Sequence, residues 1–214
     1  METVAARIYA EVRERIIDGR LPPGSRVTEQ QVAGEFDTSR TPVREAMRLL
    51  AADGFVLFKP NSGTVVREWT AGQIHDIFEL RLLVEGEIAG QAAAHIAASA
   101  IDELEAVQDE IEARGPDTRA ANAARVGTLN RRFHRIVADA CRNEQLTGVL
   151  ASAIAMPVVQ QTFRRYSPRE LSRSFAHHRE LIDALRAGDG DWARSVMRCH
   201  IHAARQTLLG GSKP

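Results

Sequence analysis

Cysteine is nearly absent. Cys141 and Cys199 are too few for a disulfide framework, and both are expected to be small buried hydrophobes. Aromatic residues make up only 5% of the chain, while Ala, Leu, Ile and Val are plentiful, a balance that favours helices over sheets. No run of about 18 apolar residues occurs, so no membrane-spanning helix is expected. The first residues have no apolar core of a signal peptide: charges recur every few positions between Val4 and Ile17. That gives the cytoplasm as the expected location. Net charge is missing too, with 28 basic residues against 28 acidic. This argues against a protein that coats DNA or a membrane surface through bulk charge. What is present, 44% hydrophobic and 26% charged residues in a chain of 214, fits one large folded domain or two modest ones.

Hydrophobic spacing predicts helix after helix, with one short exception. Val4, Ile8, Val12 and Ile16 lie at helical spacing, and Gly19 ends the segment. Leu21-Pro22-Pro23-Gly24 is a rigid turn. Thr28 to Phe36 reads as a short helix opened by a capping-box pattern, Thr28 with Gln31. Ser39 is placed to cap a helix running to about Asp53, and Pro42 is tolerated in its first turn. Phe55–Phe58 and Thr64–Val66 are rich in strand formers and flank a turn, Lys59-Pro60-Asn61-Ser62-Gly63. This is a hairpin pattern. Three short helices and a hairpin outline a winged helix-turn-helix over residues 1–68.

Residues 69–214 read as an all-α six-helix bundle, so the fold class is mainly α. Thr70 with Gln73 opens the first of these helices, which runs to His95. Ser99 with Asp102 opens the second. The third spans about Asp117 to Cys141, the fourth starts after Asn143 and is kinked at Pro157, the fifth starts at Ser167-Pro168, and the last runs from Asp189 to about Leu209.

The segment from Ser39 to Arg67 holds five basic residues against two acidic, a local excess hidden by the average. Arg40, Arg44 and Arg48 are four apart and share one helix face, while Val43, Met47 and Leu50 share another. Ser39, Arg40 and Thr41 sit at the helix N-terminus, where free backbone N–H groups favour phosphate. Such a helix enters the major groove by its N-terminal end, and an Arg there reads guanine bidentately. The competing reading is a solvated face with Glu45 as local partner. Gly63, at the hairpin tip beside Asn61 and Ser62, suits close approach to a DNA backbone.

These residues resemble the GntR family of bacterial transcriptional regulators. The resemblance rests on Leu21-Pro22-Pro23-Gly24, Ser39-Arg40-Thr41-Pro42-Val43-Arg44-Glu45-Ala46 and the Leu50–Phe55 run, and it covers nearly all of residues 4–67. It implies DNA contacts at Ser39, Arg40, Thr41, Arg44 and Gly63. Gln30 stands where family members often carry Arg, so one phosphate contact is weakened there.

Three histidines interrupt apolar stripes. His178 lies among Leu171, Phe175, Ile182 and Leu185; His200 lies among Trp192, Val196, Ala203 and Thr207. Asn130 and His134 are four apart on a third helix, with Val126, Phe133 and Val137. Inward histidines are either hydrogen-bonded core residues or metal ligands from facing helices. The segment over residues 70–209 resembles the FCD ligand-binding domain of the FadR subfamily, in its six-helix VanR-type branch. Asn130-x-x-Phe133-His134, His177-His178…Leu181…Ala184-Leu185 and His200 carry that likeness. It implies Asn130, His134, His178 and His200 as ligands of a divalent transition metal, Zn or Ni. His177 lies about 100° round the helix from His178 and so is left out of the ligand set. The family's usual Asp is Asn130 here, a neutral and weaker donor. Arg81 lies on the stripe of Ile74, Phe78, Glu85 and Ile88. It either pairs with Glu85 or grips the carboxylate of a small effector. Tyr166, Phe163 and Trp192 either wall that pocket or fill core.

The function expected is a ligand-responsive regulator, a repressor by the family resemblance, that reads a palindromic operator as a homodimer and binds a small organic acid in the bundle. The alternatives are a metal-dependent hydrolase, which lacks an evident general base, and a constitutive DNA-binding protein with a vestigial pocket.

Overall fold

Apolar residues at Ala5, Ile8, Val12 and Ile16 give helix α1 (Val4–Ile17) a single buried face, and the Thr3 hydroxyl caps it by accepting from the Ala6 amide at 3.1 Å. In the computed structural model, residues 3–59, 63–154, 159 and 165–210 are described. They form two units, one running through Trp69 and one beginning at Thr70.

In the first unit α1 is followed by β1 (Arg26–Val27), α2 (Glu29–Glu35), α3 (Arg40–Ala52), β2 (Val56–Lys59) and β3 (Gly63–Val66). Its core is built from Ile8, Val12, Ile16, Val43, Met47, Leu50, Phe55 and Val66. Gly54, at φ 77°, turns the chain out of α3 into β2, a conformation that suits glycine. The sheet has three strands in the order β1-β3-β2, all antiparallel, with Lys59 opposite Gly63 and Arg26 opposite Val65. The hairpin was expected; β1 was not. A two-residue strand has no alternation to detect, and its pairing to β3 is decided by the tertiary fold. The capping box at Thr28 is only half formed. Gln31 donates its amide to the Thr28 hydroxyl at 3.2 Å, without the reciprocal bond. Asn61 and Ser62 lie outside the described residues.

The described elements of the second unit are all helices: α4 (Ala71–Ala93), α5 (Ala98–Ala113), α6 (Ala120–Ala140), α7 (Glu144–Ile154), α8 (Pro168–Arg186) and α9 (Gly190–Gly210). Thr70 with Gln73 and Ser167 with Glu170 both form complete capping boxes. The start expected for α5 at Ser99 is corrected: the helix begins at Ala98 after Ala97, with no side-chain cap. The start of α6 moves from Asp117 to Ala120 because the Asp117 carboxylate binds the Arg119 amide and guanidinium instead. Helices α4 and α9 approach so closely at Gly90 and Gly190 that a Cβ on Gly190 would stand 2.7 Å from the Gly90 carbonyl oxygen. Cys141 is buried as expected, but Cys199 is exposed, on the outer face of α9. Trp192 is exposed too, donating its indole N–H to Glu180 at 3.1 Å, so it walls no pocket. Pro157 and Phe163 lie outside the described residues.

Candidate functional site

In the first unit, Val43, Met47 and Leu50 bury one face of α3 and turn the opposite face to solvent. Gln30, Ser39, Arg40, Thr41 and Arg44 are all exposed. Ser39 occupies the N-cap position of α3, yet its hydroxyl makes no capping bond, contrary to the expectation of a capping serine. Gly63 is exposed at φ 73°, and a Cβ there would meet the Arg26 guanidinium at 3.7 Å. Arg26 thus joins the basic residues beside the wing. Sequence reading missed it because β1 was not recognised. Arg44 pairs with Glu29 rather than with Glu45: its Nε donates to both Glu29 oxygens at 3.0 Å. The fold brings α2 against α3, and that contact is invisible in local spacing. Among the described residues, neither Arg40 nor Arg48 forms an ion pair with a carboxylate.

In the second unit, residues from five helices converge. His134 comes from α6, one turn after Asn130, His178 from α8, His200 from α9, Arg81 and Glu85 from α4, and Gln108 from α5. One ring nitrogen from each of His134, His178 and His200 lies within 4.8 Å of the others. The Nε2 atoms of His134 and His200 are 3.3 Å apart. The ring of His178 stacks on Phe133 at 4.1 Å between centroids, which holds its plane. His177 is half-buried with its ring 5.9 Å from that of His200, and it is not among the three.

Two acceptors set the tautomers. The Glu85 Oε2 lies 3.0 Å from His134 Nδ1. A carboxylate only accepts, so His134 directs its Nδ1–H at Glu85, which leaves its Nε2 facing the other rings. Burial would raise the Glu85 carboxyl, but the Arg81 charge and His134 outweigh it and hold the pKa at about 2. The Gln108 carbonyl oxygen accepts from His178 Nδ1 at 2.8 Å, while its amide donates to Glu112 at 2.9 Å. Glu112, held in turn by Arg179, therefore fixes which way the amide of Gln108 points. His178 Nε2 is left buried without a partner, as are His200 Nδ1 and Asn130 Oδ1. Burial, with neighbouring imidazoles second, pushes the pKa values of His178 and His200 well below that of free imidazole, so both rings are neutral. Neutral imidazoles and an amide oxygen, buried and unpartnered, are a donor set suited to a transition metal.

Arg81 is buried and its Nε donates to Glu85 Oε1 at 2.6 Å, so the intrahelical pair is formed. Sequence reading saw Glu85 only as the partner of Arg81 and missed its second bond to His134. Gln108 was missed altogether, although a polar residue on the buried face of α5, among Leu104, Val107 and Ile111, was the available signal. Tyr166 is buried, and burial pushes its phenol up to about 12.

Comparison with known proteins gives these two sites a context. Residues 4–66 match the bacterial regulatory proteins of the gntR family, and residues 76–203 match the FCD domain. Over 203 residues the chain is 32% identical to the "Probable D-xylose utilization operon transcriptional repressor" of Paenarthrobacter nicotinovorans, covering 94% of this chain and 87% of that protein. It is 27% identical over 224 residues to the galactonate operon transcriptional repressor of Escherichia coli K12, covering 94% and 95%. The structure of E. coli McbR/YncC covers 100% of both chains at a TM-score of 0.78 and 19% identity, a likeness of fold. A GntR transcriptional regulator from Rhodococcus sp. RHA1 covers 98% and 99% at a TM-score of 0.75 and 27% identity. These relatives are regulators rather than enzymes, which sets the hydrolase alternative aside. The chain belongs to the gntR family of bacterial regulatory proteins, and it is a transcriptional regulator that joins a DNA-binding winged helix-turn-helix to an FCD domain.

Proposed function

We propose that this regulator is a repressor that binds a palindromic operator as a homodimer and responds to a small carboxylate held at a metal in the bundle. In this reading residues 1–68 form the DNA-binding domain and residues 69–214 the effector-binding and dimerisation domain. It works in the cytoplasm, as a bacterial transcription factor must to reach DNA; no described helix is long and apolar enough to cross a membrane. Repression is favoured by the relatives, two of which are named operon repressors.

The observation that carries the ligand-responsive part is the buried meeting of three imidazoles with donor atoms left over. An unpartnered buried polar atom costs roughly 1–3 kcal/mol, and Asn130 Oδ1, His178 Nε2 and His200 Nδ1 are three such atoms within one unit. Asn130, His134, His178 and His200 would hold a Zn or Ni ion. The bound ion would supply positive charge and Lewis acidity in a site where the His178 and His200 rings and the Asn130 amide are neutral. Glu85 and Gln108 orient two of those donors, a task that commonly decides metal affinity. The Nε of Arg81 is occupied by Glu85, so a carboxylate effector would engage its Nη edge. On the DNA side, Ser39, Arg40, Thr41 and Arg44 would enter the major groove, with Gln30 and Gly63 against the backbone.

Elemental analysis of purified protein tests the metal. The expected result is about one Zn or Ni per chain in the parent and near none in His134→Ala or His200→Ala. Equal metal content in all three would remove the site. A parent that takes up no metal and is stabilised by no carboxylate in thermal shift would favour the constitutive DNA-binding alternative.

A further inference from the structure

Arg44 stands apart from the other arginines on its face of α3. Its Nε is held between both oxygens of Glu29 at 3.0 Å. The bond uses one of five N–H donors, and among the described residues nothing accepts from the Nη1 and Nη2 groups. Glu29 is the better buried partner, its side chain 29% exposed against 62% for Arg44. As the first residue of α2 it also lies where backbone amides favour a carboxylate. The two residues border a cavity of about 310 Å³ with Arg48 and the exposed ring of Phe58 from β2.

We infer that Glu29 is a specificity-determining residue of the DNA interface, acting through Arg44. The inference rests on the DNA-reading role proposed for α3. An unrestrained arginine at this exposure samples many rotamers and settles on the nearest phosphate, a contact that carries no sequence information. Glu29 changes this in two ways. It clamps the guanidinium at Nε, so the Nη1–Nη2 edge is the one presented, and that edge matches O6 and N7 of guanine. The clamp is in place before DNA arrives, so less rotamer freedom is lost on binding. Its negative charge also repels phosphate oxygens and removes Arg44 from the pool of cations that bind DNA of any sequence. A base edge at the groove floor, being uncharged, is accepted. Glu29 thus trades general affinity for discrimination, in keeping with a chain whose overall charge is zero.

The test uses the full chain and two duplexes: one recovered by selection with the parent protein from a randomised pool, and one scrambled to the same composition. In Glu29→Gln and Glu29→Ala the scrambled duplex should bind more tightly and the ratio of the two affinities should fall roughly fivefold, the scale of one exposed ion pair. The slope of log affinity against log salt should steepen by about one ion on the scrambled duplex. A structural role would weaken both duplexes together and leave the slope alone. Glu29→Asp should recover part of the ratio, and Glu29→Ala placed in an Arg44→Ala background should change it no further. An unchanged ratio and slope in Glu29→Gln overturns the inference while leaving α3 as the reading helix. If Arg44→Ala binds the selected duplex as the parent does, the reading of α3 falls and the inference with it.

Discussion

Burial holds His178 and His200 neutral, with folded-state pKa values below the free value of 6.5. As pH falls, the unfolded chain therefore takes up these protons first, and stability is lost below that pKa. Chelator-treated protein should keep a steady urea midpoint above about pH 7 and lose it progressively between about 6.5 and 5. His178→Gln should flatten that slope; an identical slope in parent and variant would contradict neutral burial. Glu85 behaves likewise at lower pH. Its folded pKa of about 2 lies below the ordinary 4.5, so its share of stability is present above 4.5 and is lost as pH falls towards 2. The DNA face depends on exposure instead. Arg40→Ala and Arg44→Ala should each cost about 1–3 kcal/mol on the selected duplex with the unfolding midpoint unchanged. Gel-shift titration and thermal unfolding check this, and unaltered binding would displace the contact from these residues.

Among the elements, α4 carries the greatest burden. One face presents Ile74, Phe78, Arg81, Glu85 and Ile88, all buried, and Gly86 and Gly90 admit α9. The Arg81–Glu85 pair on α4 reaches His134 on α6, and α9 brings His200 to the same point. The α4–α9 packing therefore sets where His200 stands relative to His134. Gly190→Ala would place a methyl group 2.7 Å from the Gly90 carbonyl oxygen. The backbones must part, at roughly 1–3 kcal/mol, and metal retention should drop along with the urea midpoint. A full metal complement and an unchanged midpoint would show that α9 tolerates the shift. Helix boundaries were legible because caps and periodicity are local signals, as at Thr70 and Ser167. The exceptions, Ala97 and Asp117, lie where a competing side-chain bond or its absence moved the start by a few residues.

For the molecule as a whole, the proposed dimer makes a prediction about DNA. If two heads act together, a duplex with both half-sites should bind on the order of 10²-fold more tightly than one with a single half-site, through effective concentration alone. Titration of the two duplexes, alongside light scattering for the mass in solution, measures this. Equal affinities would mean that each head acts alone.

The sequence by itself determined the helical class, the winged DNA-reading head, the α3 arginine face and the three inward histidines. All of these are periodic or local patterns, set by neighbours within a few residues. Only the tertiary structure decided which groups meet. Glu29 and Arg44 are 15 residues apart, Glu85 and His134 are 49, and Gln108 and His178 are 70. No local spacing encodes such pairs, because helix packing rather than chain proximity brings them within hydrogen-bonding distance. The same holds for β1, two residues long, whose strand identity exists only through its pairing with β3.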